Sequence, residues 1–439
     1  MLVIGAGPVG LGIAKSLTER HIAYDQVEAD SDVGGNWYHG IYRTAHIISS
    51  RKTTEFVDFP MPPSYPEFPS RGQMLDYLRA FAEHFGLREN IAFGRKVILV
   101  MPRVDELWSV TFADGEECIY KGVLVCTGHH WSKCLPSYPG RFSGQLIHAK
   151  EYEGPEQLVG KRILVIGGGN SACDVASEAA RYGETSELSL RRGYWFMPKT
   201  IFGKPFHEVL PLATPIWLQR LLLRLLARVV VGDYRRYGLP KPDHRIFDHH
   251  PTLNSELLEH LKHGRVKPRP DVARFDGDRA EFVDGTAGHY DLIVCATGYR
   301  LDFPFLPEGL VPIRNEVAQV YGGSMLPGYK HIYIIGTITP RYGFGPLLSE
   351  GGALIANLVQ LQDRLTLPLG TVLQAMGQKP PSSAYIDAGA AMRQLKRGKW
   401  LLPLLVPRAE RRLRRKLGTS PSKRIERPHA PPAADLIVY

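Results

Sequence analysis

Two glycine-rich runs carry the residue types best suited to gripping a phosphate: Gly5-Ala6-Gly7-Pro8-Val9-Gly10 and Gly167-Gly168-Gly169-Asn170-Ser171-Ala172. Glycine permits positive φ and close backbone approach. Amide N–H groups at a following helix N-terminus can then face a pyrophosphate, whose charge the helix dipole stabilises. Such a run is a weak sign alone. It becomes a strong one when a strand precedes it, a helix follows, and a charged residue closes the next strand about 20 positions on. Glu28 stands at that distance from Gly5, and Arg191 from Gly167. A carboxylate there accepts hydrogen bonds from an adenosine ribose and repels a 2′-phosphate, whereas a guanidinium offers donors that suit one. Two unlike dinucleotides follow, most economically FAD at Gly5, Gly7, Pro8, Val9, Gly10 and Glu28, and NADPH at Gly167, Gly169, Asn170, Ser171 and Arg191. Hydride transfer between them is the expected chemistry.

The elements that must hold these residues are legible around them. MLVI, LGIAKSLTER and YDQVE read as strand, helix and strand about the first run, and RILVI, CDVASEAARYG and SELSL repeat the pattern about the second. Each set is a βαβ unit, so the fold class is α/β with two Rossmann-like dinucleotide-binding domains. VLVCTGHH (123–130) and LIVCATGY (292–299) are apolar strands that end in small residues and glycine. They suit backbone passing close under a bound dinucleotide and place Thr297 and Gly298 beside it.

At 439 residues, with 44% hydrophobic and 22% charged residues, the composition is that of a globular chain of two or more domains. The five cysteines, Cys118, Cys126, Cys134, Cys173 and Cys295, show neither metal spacing nor a disulfide framework, which points to a reducing, cytoplasmic setting and no structural metal. The N-terminus has no basic start of an export signal. Net charge is +10, yet residues 393–427 alone hold thirteen Lys/Arg against two Glu. The body is then near neutral, which argues against nucleic-acid binding, and the tail either contacts anionic lipid peripherally or is a solvated, partly disordered extension. Residues 215–234 carry Arg220, Arg224 and Arg228 on one helical face, a poor membrane span whose apolar side is expected to pack on its own domain. His244, His249 and His250 do not share a helical face, so HRIFDHHPTLN (244–254) reads as a surface loop rather than a metal site.

Between the two units, Phe142, Gly144, His148 and Tyr152 spell F-x-G-x-x-x-H-x-x-x-Y. This resembles the signature of flavin-containing monooxygenases. The resemblance runs through residues 1–375: Gly34, Gly35 and Trp37 around Asn36, the DFPMP run at 58–62, GGGNSACD at 167–174, SLRRGYW at 189–195 and VCATGY at 294–299. It implies an NADPH domain (157–300) inserted into an FAD domain (1–156 and 301–378), followed by the basic extension (379–439). It also implies flavin contact at Gly35, Asn36 and Trp37, a hinge role for His148 and Tyr152, and a helix after Tyr333 aimed at the flavin. The implied chemistry is reduction of FAD by NADPH, addition of O2 to give a C4a-hydroperoxyflavin, and oxygen transfer to a small lipophilic amine or sulfide. Related Baeyer–Villiger enzymes, which act on ketones, carry Trp where this chain has Tyr152. No catalytic side chain is required, because the cofactors carry the reaction. One position departs: the asparagine the resemblance expects near flavin and NADP+ falls on Ile48, leaving Ser49, Ser50 and His46 as neighbouring donors. That departure keeps open a noncatalytic dinucleotide-binding protein docked through its basic tail.

Overall fold

The computed structural model describes residues 1–211, 214–341 and 343–418. Its frame is two five-stranded parallel sheets. The first runs Ile332–Ile334, Val123–Val125, Leu2–Ile4, Asp25–Val27, Ile91–Ala92; the second runs Gln145–His148, Leu292–Cys295, Arg162–Ile166, Thr185–Ser189, Lys267–Arg269. In each, the strand that feeds a glycine run lies at the centre. These central strands are buried along nearly all their length, as Leu2, Val3 and Ile4 and then Ile163 to Ile166 illustrate, because helices cover both faces of a parallel sheet. Pro268 is accommodated because Lys267–Arg269 is an edge strand.

The insertion expected from the sequence is the observed topology, since every strand of the second sheet falls between the fourth and fifth strands of the first in chain order. The crossing comes before residue 157: Gln145–His148 already pairs in parallel with Leu292–Cys295, His148 opposite Cys295. Helix Pro8–Thr18 follows the first central strand and packs on helix Gly345–Asp363, where Gly352 allows close approach to Gly12 and Ser16.

One expectation is corrected and a second holds only over a narrow face. The basic extension is not simply solvated, for residues Ala388–Gly418 form a helix docked on Gly345–Asp363 and on helix Leu369–Ala375. Its period places Leu395, Leu402, Ala409 and the fully buried Val406 against the core. The buried Glu410 carboxylate accepts from the backbone N–H groups of Thr366 (2.6 Å) and Leu367 (2.8 Å). Positions 419–427 of the basic stretch lie outside the described residues. Helix Ile216–Val230, expected to pack its apolar side, buries only Leu223 and Ala227, while Trp217 and Val229 are 66% and 79% exposed. Its packed side, Leu223 and Ala227 with Leu226 beside them, is narrower than the apolar content suggests.

Candidate active site

The two glycine elbows are built alike. Gly5 holds φ +104°, and a Cβ there would stand 2.8 Å from the Cys126 carbonyl oxygen; Gly167 holds φ +130° against the carbonyl of Ala296, where a Cβ would overlap more severely. In both cases the neighbour is the residue directly after a strand of the same sheet, so glycine is demanded by close backbone passage and by positive φ. Gly7 and Gly169 then cap their helices in extended conformation, at φ −74° and −81°. The first-turn N–H groups of helices Pro8–Thr18 and Asn170–Tyr182 have no intrahelical partners and face outward past an elbow with no side chain on it. At Gly169 a Cβ would meet nothing within 4 Å, and Gly7 lies next to Gly35 alone. Both elbows therefore leave the bare cradle a pyrophosphate needs.

Their outer ends differ in charge. Glu28 is buried, with Oε2 accepting from Ala6 N (2.6 Å) and Oε1 from Asp30 N (3.1 Å). Burial raises its carboxyl above the ordinary range while these N–H donors pull it back. Arg191 is exposed beyond the end of Thr185–Ser189. Its neighbour Arg192 is turned instead to His249 (3.2 Å) and the Tyr194 ring. Gly35, Asn36 and Trp37 form a 3-10 turn against the first elbow, and Asn36 presents a buried Oδ1 with no protein partner.

The segment 250–254 is corrected from surface loop to a buckle on the second elbow. Thr252–Leu253 pairs with Phe196–Met197; Thr252 Oγ1 donates to Gly168 O (2.7 Å), Leu253 N to Asn170 Oδ1 (2.8 Å), and Asn254 Nδ2 to Asp174 Oδ1 (2.7 Å). The Asn170 amide oxygen is thus committed to the protein, and what that residue offers a ligand is its backbone N–H and its side-chain NH2. Sequence reasoning missed Thr252, Asn254 and Asp174. The T-L-N triplet after Pro251 was the available signal, obscured by the histidines before it.

Between the elbows, His148 accepts from Lys150 N at Nδ1 (3.1 Å), which fixes the proton on Nε2, and Nε2 donates to Gly298 O (2.9 Å). Burial lowers its pKa, so the ring stays neutral. Thr297 Oγ1 donates to Cys134 O (2.5 Å), and Gly298 holds φ +85° with open space above it. Tyr152 donates to the buried Glu178 carboxylate, and Tyr42 to Asp174 (2.7 Å). All these polar atoms are spent on fixing the crossover, not on reacting groups. Near Ile48, Ser49 Oγ bonds Thr54 Oγ1 (2.6 Å), Ser50 caps the short helix Arg51–Thr54, and His46 Nδ1 contacts Thr44 O (2.9 Å).

With this geometry in place, comparison with known proteins is decisive. A family profile described as flavin-binding monooxygenase-like matches residues 1–396. The chain belongs to that family. Among relatives of this monooxygenase, flavin-containing monooxygenase 5 of Oryctolagus cuniculus is 35% identical over 388 residues, covering 81% of this chain and 72% of the relative. Dimethylaniline monooxygenase [N-oxide-forming] 2 of Cavia porcellus is 34% identical over 348 residues, covering 73% and 65%. The flavin-containing monooxygenase from Stenotrophomonas maltophilia has the same fold, with a TM-score of 0.61 at 21% identity over 82% of this chain and 97% of that one. So does cyclohexanone monooxygenase, with a TM-score of 0.64 at 18% identity over 83% and 87%. The protein is accordingly an oxidoreductase, a flavin-dependent monooxygenase whose cofactors are FAD and NADPH, which sets aside the noncatalytic alternative.

Proposed function

We propose that the Gly5 elbow takes FAD, the Gly167 elbow takes NADPH, and the enzyme oxygenates a soft nitrogen or sulfur nucleophile of a small lipophilic substrate. The observation that supports this most is the pair of elbows of one construction ending in opposite charges, Glu28 and Arg191. Bound there, a flavin reduced by NADPH and met by O2 supplies an electrophilic oxygen atom. The chain's own work is binding, orientation and exclusion of water. First-turn N–H groups hold each pyrophosphate, Gly35, Asn36 and Trp37 close over the flavin, and Glu28 accepts from a ribose hydroxyl. Arg191 donates to a 2′-phosphate, and the 252–254 buckle stiffens the second elbow. His148, Tyr152, Thr297 and Gly298 keep the two halves in register. Tyr152 in place of tryptophan supports heteroatom oxygenation over ketone insertion.

We further place the division between the two domains at the crossover near residues 143–148 and near 298–301, and assign the enzyme to the cytoplasm, supported by five unpaired cysteines. No helix among the described residues is long and apolar enough to cross a membrane. A peripheral contact with anionic lipid through 393–427 is supported by Trp400, which is 78% exposed, and by exposed Leu401, Leu404 and Leu405 amid the cationic residues of that helix.

The test supplies purified, flavin-loaded enzyme and NADPH with trimethylamine, methyl phenyl sulfide and cyclohexanone in parallel. N-oxide or sulfoxide matching the NADPH consumed supports the proposal. Lactone as the dominant product transfers it to the Baeyer–Villiger class, and hydrogen peroxide as the only product overturns oxygenation.

A further inference from the structure

Tyr42 belongs to the first domain in chain order and to the second in packing. It follows shortly after the 3-10 turn Gly35–Trp37, whose Gly35 packs on Gly7 of the first elbow. Yet its buried ring shares one hydrophobic cluster with Ala172, Cys173 and Val175 of helix Asn170–Tyr182, the helix that starts at the second elbow. Its hydroxyl donates to Asp174 Oδ2 (2.7 Å), while Asp174 Oδ1 accepts from Asn254 Nδ2 (2.7 Å) in the 252–254 buckle. Burial, and after it the Asp174 charge, push the Tyr42 phenol well above its ordinary pKa, so the hydroxyl stays a donor.

The segment between the turn and Tyr42 has little slack. Gly40 N donates to Asn36 O (2.9 Å) and leaves no room for a Cβ against the Asn36 side chain; Arg71 Nε donates to Trp37 O (3.0 Å). Just beyond, Arg43 N donates to Glu153 O (2.9 Å), and the Arg43 guanidinium pairs with Glu156. A continuous path therefore runs from Gly7 through Gly35, Asn36 and Tyr42 to Asp174, one helical turn past Asn170. Apolar packing along this path is non-directional and would allow the helix to slide, whereas the hydroxyl–carboxylate bond fixes one register.

We propose that Tyr42 and Asp174 are positioning residues for hydride transfer, their hydrogen bond fixing helix Asn170–Tyr182, and the nicotinamide coenzyme at its N-terminus, relative to the flavin clasp 35–37. The proposal rests on the assignment of FAD and NADPH to the two elbows made above. In the step concerned a C–H bond of the dihydronicotinamide breaks, an N–H bond forms on the oxidised flavin, and both electrons travel with the hydride. Tyr42 and Asp174 exchange no proton with either partner and act through the helix and the clasp. Such a transfer needs its atoms about 3–3.5 Å apart, and a misplacement of about 1 Å costs on the order of 100-fold in rate.

The test uses flavin-loaded, full-length enzyme. Tyr42→Phe removes the hydroxyl and keeps the ring, and Asp174→Asn keeps an acceptor oxygen. Tyr42→Phe should hold normal flavin content and bind NADP+ within about twofold of wild type by isothermal titration, while the limiting rate of anaerobic flavin reduction at saturating NADPH falls by about tenfold or more. The change that saturating NADP+ makes in the flavin absorption band should shrink with it. Asp174→Asn should retain part of the rate, and the double variant should be no slower than Tyr42→Phe. An unchanged limiting rate and flavin band in Tyr42→Phe overturn the proposal. So does weaker NADP+ binding at an unchanged limiting rate, which gives the bond to elbow stability alone. Wild-type flavin that NADPH fails to reduce would instead overturn the assignment of the elbows, and the proposal with it.

Discussion

Gly167 lies flush against the carbonyl of Ala296, at φ +130°, in a place where a Cβ would overlap that oxygen. Two penalties coincide in Gly167→Ala, because an L-residue at positive φ costs roughly 1–2 kcal/mol and the strand carrying Ala296 must also move. The elbow over which NADPH is proposed to lie would deform. The first elbow, centred on Gly5, is a separate construction on the other sheet. Flavin content should therefore be unchanged while the dissociation constant for NADP+ rises by about tenfold or more, measured by equilibrium titration.

Arg191 projects into solvent at the end of the second strand of the βαβ unit. Charge-assisted hydrogen bonds contribute about 1.5–3 kcal/mol each, so Arg191→Ala should weaken NADPH binding by about tenfold or more and leave NADH almost untouched. Paired KM values for the two nucleotides check this. Equal losses with both would remove the 2′-phosphate contact from the account.

The twin elbows were readable because glycine there answers to two local constraints, positive φ and a carbonyl beneath, which impose a fixed spacing on the sequence. Glu28 and Arg191 stand one and two residues past a strand, at the distance the spacing sets, while their ribose and 2′-phosphate contacts are proposals. The 252–254 buckle was not readable, because its grip comes from a threonine hydroxyl and a backbone N–H whose partners are 83 or 84 residues away. The helix 388–418 was hidden by its cations and by Pro403 and Pro407, which ordinarily stop a helix, whereas Val406 and Glu410 tie it to the core. The Tyr42–Asp174 pair, 132 residues apart, left no linear signal at all.

Stability should fall below neutral pH in part through His207. Burial, followed by the neighbouring His250, pushes its imidazole down to about 3 from an ordinary 6.5. The unfolded chain binds a proton below pH 6.5 that the folded chain refuses until about 3, so folding stability is complete above that range and declines as pH falls through it. Between pH 8 and pH 5 the histidine should account for about 2 kcal/mol. Urea unfolding of wild type and His207→Gln at both values measures it: the variant should show a smaller loss by about that amount.

The exposed apolar side of the C-terminal helix gives a separable test of lipid contact. Deleting 393–439 is unsuitable, since it would strip Val406 and Glu410 from the core. Trp400→Ser/Leu404→Ser leaves those contacts intact. It should reduce co-sedimentation with phosphatidylserine vesicles, with thermal stability and flavin content unaltered. Unchanged sedimentation would show that these residues do not face lipid.

The central claim, that FAD and NADPH sit on this one chain close enough to exchange hydride, is tested most directly by anaerobic mixing. Purified wild-type enzyme should be yellow, and stoichiometric NADPH without oxygen should bleach the flavin band, while Gly167→Ala of equal flavin content bleaches far more slowly. Colourless protein that cannot be loaded with FAD, or equal bleaching rates in the two proteins, would contradict the account.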